Sequence, residues 1–141
     1  MTATIAPYLY YENGRAAAEW LCEAFGFELV SSAEEDGRIT HAELTLDGAT
    51  VFIGEPGDGY RNPSHLGAST AGVYVYVDDV DAHFTIAREA GATIAMEPTD
   101  QGYGERRYDC ADLEGHTWFF ATAMSPAATS AEKASEHAAD A

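Results

Sequence analysis

Basic residues are scarce in this chain. Its 7 lysines and arginines stand against 24 aspartates and glutamates, a formal net charge of -17. A surface of that sign repels phosphate backbones and anionic headgroups, which argues against nucleic-acid and membrane partners and favours small cations. Cysteine is almost absent. Cys22 and Cys110 are too few and too isolated for a disulfide framework or a multi-cysteine metal centre, and Cys22 falls on the apolar side of a predicted helix as a buried thiol. No run approaches about 18 consecutive apolar residues, and the first residues lack the basic-then-apolar order of a secretion signal. The expected location is the cytoplasm.

What is present is a repeated grammar. Val73, Val75 and Val77 alternate with Tyr74 and Tyr76, the period-2 pattern of a strand with two different faces. Asp78 or Asp79 then caps a helix carrying Val80, Phe84, Ile86, Ala87 and Ala90, and Gly91 stops it. An earlier stretch, residues 7–30, runs the same way. A short aromatic strand breaks at Glu12-Asn13-Gly14, a helix runs through Ala16, Ala17, Trp20, Leu21 and Ala24, and Gly26 leads into another strand. The two stretches lie about 66 residues apart, the mark of an internal duplication.

Each unit then adds strands. In the first they are predicted at 27–32, 38–46 and 50–53, the last two joined at Asp47-Gly48, a strong hairpin signal. In the second they are predicted at 93–96, 105–111 and 116–122, with a loop over 97–104. The fold class is therefore α+β, with two βαβββ modules at 5–54 and 72–122. Residues 55–71 link them, and the acidic, alanine-rich tail 123–141 has no apolar stripe with which to dock and is expected to be mobile. A hydrophobic fraction of 46% suffices for one shared core, whereas either module alone would bury too little. A plain connector is the expected role of the linker, although Tyr60, Arg61, His65 and Leu66 give it side chains able to lie across a cavity mouth.

This duplicated order, with YVDDVDAHFTIAREAGA and RRYDCADLEGHTWFFA, resembles the glyoxalase, bleomycin-resistance and extradiol-dioxygenase superfamily, also called vicinal oxygen chelate proteins. The resemblance covers roughly residues 5–121 and is nearest to a bacterial branch that carries a D-P-F-G-H type sequence near its end. It implies a glyoxalase-like, half-open sheet around an internal cavity, helices outside, and a homodimer that sometimes forms by exchange of modules. Metal-bearing relatives isomerise thiohemiacetals, cleave catechols or add thiols to fosfomycin, while bleomycin-binding relatives do no chemistry. Carried onto this chain, the family's metal-ligand places fall near Ala6, at Gly72 or Val73, near Phe119 and at Glu43. Only Glu43 offers a donor, and tight binding needs several. No metal or other cofactor is therefore expected. A divalent ion held by an unusual set from His41, Glu43, His65 and His116 is the alternative.

With the Glu43 place facing the cavity, His41 and Glu43 are the catalytic candidates, as a general base with its orienting partner, or else a polar hook for a ligand. Parity turns Tyr8, Tyr10, Tyr74 and Tyr76 to the same side, with Phe119 and Tyr108 joining them, and Arg106 is placed to meet a ligand carboxylate. Phenol rings offer flat apolar area, hydroxyl contacts and faces that attract cations. His116 and Asp112 are expected to bond the turn that starts the last strand, and Trp20 and Trp118 to pack. The function expected is metal-independent binding or sequestration of a small cationic or aromatic compound. A glyoxalase-related lyase or isomerase, or a dioxygenase, is the alternative.

Overall fold

Polar residues start each helix and glycine or a tight turn ends it. Asn13 accepts the Ala16 N–H at the start of α1 (Gly14–Phe25), and Gly26 closes that helix in the left-handed region at φ 86°. Asp79 accepts the Ala82 N–H at the start of α3 (Val80–Glu89), and Gly91 follows its end at φ 101°. In the computed structural model, which describes residues 2–124, these helices sit in two modules of the same order. Module 1 comprises β1 (Tyr8–Tyr10), α1, β2 (Glu28–Glu35), β3 (Arg38–Leu46) and β4 (Ala49–Gly54). Module 2 comprises β5 (Gly72–Tyr76), α3, β6 (Thr93–Gln101), β7 (Glu105–Ala111) and β8 (Thr117–Ala123). The short helix α2 (Pro63–Leu66) lies in the linker. The mobile tail expected over 123–141 falls outside the described residues, apart from Ala123 in β8 and Met124 beyond it.

The sheets are ordered β1-β4-β3-β2 and β5-β8-β7-β6, each with its first strand parallel to its last. Asp47 and Gly48, both at positive φ, make the expected hairpin turn. Three strands exceed their predicted lengths, β4 by one residue at each end. β6 runs on through Pro98 to Gln101, where a loop was expected, because it is a sheet edge and its register shifts between Met96 and Thr99. Proline is tolerated at such a place. β2 likewise runs to Glu35, and only Asp36-Gly37 turns. The alternation over 5–11 suggests a longer first strand, but β1 begins only after Pro7, whose carbonyl accepts the Phe52 N–H.

The helices pack against each other between the sheets and join the two cores into one. Phe25 of α1 meets Trp118 and Phe120 of β8 at ring distances of 5.0 and 4.7 Å, and the Trp20 indole donates to the Ala90 carbonyl. His83 of α3 bridges the modules. Its Nε2–H donates to the Phe25 carbonyl at 2.9 Å, leaving Nδ1 to accept the Tyr108 hydroxyl at 2.5 Å.

A second junction is polar. Asp112, buried after β7, accepts the Tyr11 hydroxyl and the Trp118 indole N–H on one oxygen and the Glu114 and His116 N–H groups on the other. Glu114 accepts the Glu12 and Asn13 N–H groups and the Asn62 amide. The turn before the last strand of module 2 is thereby plugged into the end of β1. No helix among the described residues is long and apolar enough to cross a membrane.

Two outcomes are expected from these junctions. Asp112→Ala strands the buried Tyr11 and Trp118 donors and lowers the unfolding free energy by about 3 kcal/mol or more, measured by urea titration. Burial holds the His83 imidazole below its ordinary value, so the folded state binds its proton less readily than the unfolded chain. The stability present above the unfolded value near 6.5 is then lost as pH falls through the folded one. The urea midpoint should drop between pH 7.5 and 5, and His83→Gln should flatten that slope.

Candidate functional site

The side of each sheet away from the helices is aromatic. Leu9, Val73, Val75 and Val77 pack toward the core, and strand alternation turns their tyrosine neighbours the other way. Tyr8, Tyr10, Tyr74 and Tyr76 are 45, 51, 38 and 50% exposed, so within one chain each face stays half open.

On module 1 the β1–β4–β3 register lines up Tyr8, Phe52 and Glu43. The Tyr8 ring lies 5.6 Å from Tyr10 and 6.0 Å from Phe52, and His41 lies 5.1 Å from Phe52. The Tyr8 hydroxyl and His41 Nδ1 are hydrogen-bonded at 3.1 Å. Tyr8, Tyr10, His41 and Glu43 are thus brought together as the sequence suggested. Phe52 was missed, although it stands between the core residues Val51 and Ile53 and is the counterpart of Phe119.

On module 2 the register lines up Tyr74, Phe119 and Asp109, and Arg107 with Ala121. This overturns two placements. Arg106 and Tyr108 lie on the helix side, where Arg106 binds Asp81 of α3 and Asp100, and Tyr108 is fully buried against His83. The sequence-based parity of β7 was one residue out, and a one-residue slip moves every side chain to the opposite face. The arginine on the aromatic face is Arg107. Its guanidinium binds Asp109 at 2.9 Å and the Tyr103 hydroxyl at 2.9 Å, and lies over the Phe119 and Tyr74 rings at 5.5 and 5.9 Å.

Glu105, on the same face as Arg107, had no place in the sequence reading. It is 1% exposed, accepts the Tyr74 hydroxyl and is hydrogen-bonded with Tyr76. The Tyr103 hydroxyl sits 3.3 Å from that of Tyr74. Burial, then the Glu105 hydrogen bond, holds the Tyr74 phenol well above its ordinary value. Burial, then the charge of Glu105, pushes Tyr76 up to about 12.

Along the seam between β1 and β5 a pocket of about 460 Å³ is lined by Tyr8, Tyr10, Tyr60, Leu66, Gly72 and His116. The linker does lie across it, with the Tyr60 hydroxyl donating to the Tyr10 carbonyl. His116 Nε2 bonds that same carbonyl, and His65 bonds Glu12, so these two histidines brace backbone and linker rather than joining His41 and Glu43. Cys22 is only partly buried, because β2 leaves a groove of about 570 Å³ beside α1, and desolvation pushes its thiol up.

The chemistry of the family's metal places does not fit a metal. A Cβ on Gly72 would stand 2.5 Å from the Phe119 ring, so that ring occupies the space a ligating side chain would need. Among the described residues no group of three or more His, Cys, Asp or Glu side chains is arranged to hold an ion.

Comparison with known proteins agrees with this architecture. Residues 4–120 match the family model for the Glyoxalase/Bleomycin resistance protein/Dioxygenase superfamily. An uncharacterised protein of Mycobacterium bovis is 32% identical over 120 residues, 81% of this chain and 79% of that one. The 4-hydroxyphenylpyruvate dioxygenase of Caenorhabditis elegans is 32% identical over 115 residues, 74% of this chain but 29% of the enzyme. Among solved structures, TioX from Micromonospora sp. ML1 superposes with a TM-score of 0.72 at 34% identity, covering 86% of this chain and 99% of TioX. A superfamily member from Sphaerobacter thermophilus superposes at 0.69 with 18% identity, covering 86% of this chain and 98% of that one. With both modules, their order and most of the chain accounted for, the protein belongs to the glyoxalase/bleomycin resistance protein/dioxygenase superfamily.

Proposed function

We propose that the protein binds and sequesters a small cationic or aromatic compound, without a metal, in a cavity completed by a second copy of the chain. The observation that carries the reading is the pair of half-exposed tyrosine faces. Aromatic area of this extent is costly to leave in water and marks a surface that meets a partner or ligand. Pairing the module 1 face of one copy with the module 2 face of another covers both and leaves a ring-lined space between them. The acidic surface draws cations toward it. The unpaired thiols of Cys22 and Cys110 suit a reducing cytoplasm.

The Tyr8–His41 hydrogen bond beside Glu43 favours a second reading, acid–base chemistry of a glyoxalase-related lyase or isomerase. Here His41 would move a proton that Tyr8 helps to hold, and Glu43 would face the same substrate.

Native mass spectrometry with elemental analysis, on protein purified without chelator, separates the two. The binding reading expects a dimer without stoichiometric divalent metal that retains, or takes up, cationic aromatic compounds. Failure to bind any of a broad panel of aminated and aromatic compounds, bleomycin-type molecules included, sinks it. The enzyme reading expects turnover that Glu43→Gln abolishes.

A further inference from the structure

Each tyrosine face carries a flat, nitrogen-bearing side chain at the same place. His41 stands two residues before Glu43, the partner of Phe52, and Arg107 stands two residues before Asp109, the partner of Phe119. The His41 ring lies 5.1 Å from Phe52 and 5.6 Å from Tyr8, and the Arg107 guanidinium lies over Phe119 and Tyr74 at 5.5 and 5.9 Å. The duplicated place therefore holds a planar group against the same two rings in both modules. Module 2 fills it with an arginine.

That arginine is fixed along its edge. Nε and Nη2 donate to the two oxygens of Asp109 at 2.9 and 3.4 Å, and Nη1 donates to the Tyr103 hydroxyl at 2.9 Å. Hydrogen bonds of a guanidinium run in its plane, and the Phe119 and Tyr74 rings lie to one side of that plane, so the far flat side is what remains for a ligand. The side chain is 23% exposed, which keeps that side within reach. A guanidinium is planar, delocalised and weakly hydrated, and it stacks on ring faces, whereas a saturated ring offers it no such face. A ligand ammonium laid on it would meet a like charge.

We propose that Arg107 is a specificity-determining residue of the binding face, a rigid platform on which the flat aromatic part of the ligand stacks. This rests on the binding reading above and narrows its ligand class to planar aromatic compounds, with any positive charge of the ligand held away from Arg107.

The test compares 2-naphthol with its saturated analogue decahydro-2-naphthol on the full chain, with affinities from calorimetry and the Arg107 Nε–Hε resonance followed by NMR. Wild-type protein is expected to bind the flat probe at least about fivefold more tightly, with the Arg107 Hε resonance shifted upfield by the ring above it. Arg107→Lys keeps the charge and loses the plane. It should bring the preference below about twofold while keeping the affinity for the saturated probe, whereas a merely structural role would weaken both probes alike and so counts against the platform. Should that variant not fold, the wild-type preference and the Hε shift decide alone. Equal binding of the two probes by wild-type protein, or a preference that survives Arg107→Lys, overturns the platform but leaves the binding face standing. Binding of neither probe overturns the platform and the binding reading together.

Discussion

The plug formed by Asp112 and Glu114 fixes how the modules meet. Carboxylates are costly to bury, and these two are tolerated because backbone and side-chain donors converge on their oxygens. The donors come from the end of β1, the start of α1, the linker and the last hairpin, so the plug forms only when all four are in place. With Phe25 set against Trp118 and Phe120, it holds the helices between the modules and leaves the tyrosine faces outward. Packing on the helix side and availability on the other are thus two results of one junction.

Much of the fold was legible because both modules obey the same local rules. Period-2 alternation located β1 and β5, Asn13 and Asp79 located the helix starts, and Asp47-Gly48 located a hairpin. The failures were of register. Pro98 reads as a breaker in any sequence, and only the edge position of β6 makes it harmless. Arg106 and Arg107 stand side by side, and no local pattern says which one faces the helix. The pairing of Asp109 with Phe119 decides it, and that pairing is a property of the sheet.

The site was legible to the same depth. Tyr8, Tyr10, His41 and Glu43 meet as their strand parity required, because β3 and β4 are joined by a turn whose geometry sets their register. Glu105 was not legible. A glutamate next to two arginines at a strand start reads as a solvated residue, and its burial depends on tyrosines from β5 and on Tyr103 closing over it. Cys22 failed in the opposite direction, since helix periodicity gives the side that faces the sheet but not how much of it the sheet covers.

Duplication explains why the departures from symmetry carry the information. Two copies of one module begin with equal faces, and each residue that keeps its counterpart, as Tyr8 and Tyr74 do, serves a need common to both. Where the copies diverge toward greater cost, the cost has to be met locally. Glu105 has no counterpart on the module 1 face, because Ile39, at the equivalent place in sequence, turns to α1 beyond a register shift in β3, and the buried Glu105 carboxylate is met by the Tyr74 phenol. Phe119 over Gly72 is a second divergence, this time from the family's metal-bearing pattern, since a ring now fills the space of a ligating side chain. The ring at Phe119 leaves flat aromatic surface where a metal-bearing relative would place a donor.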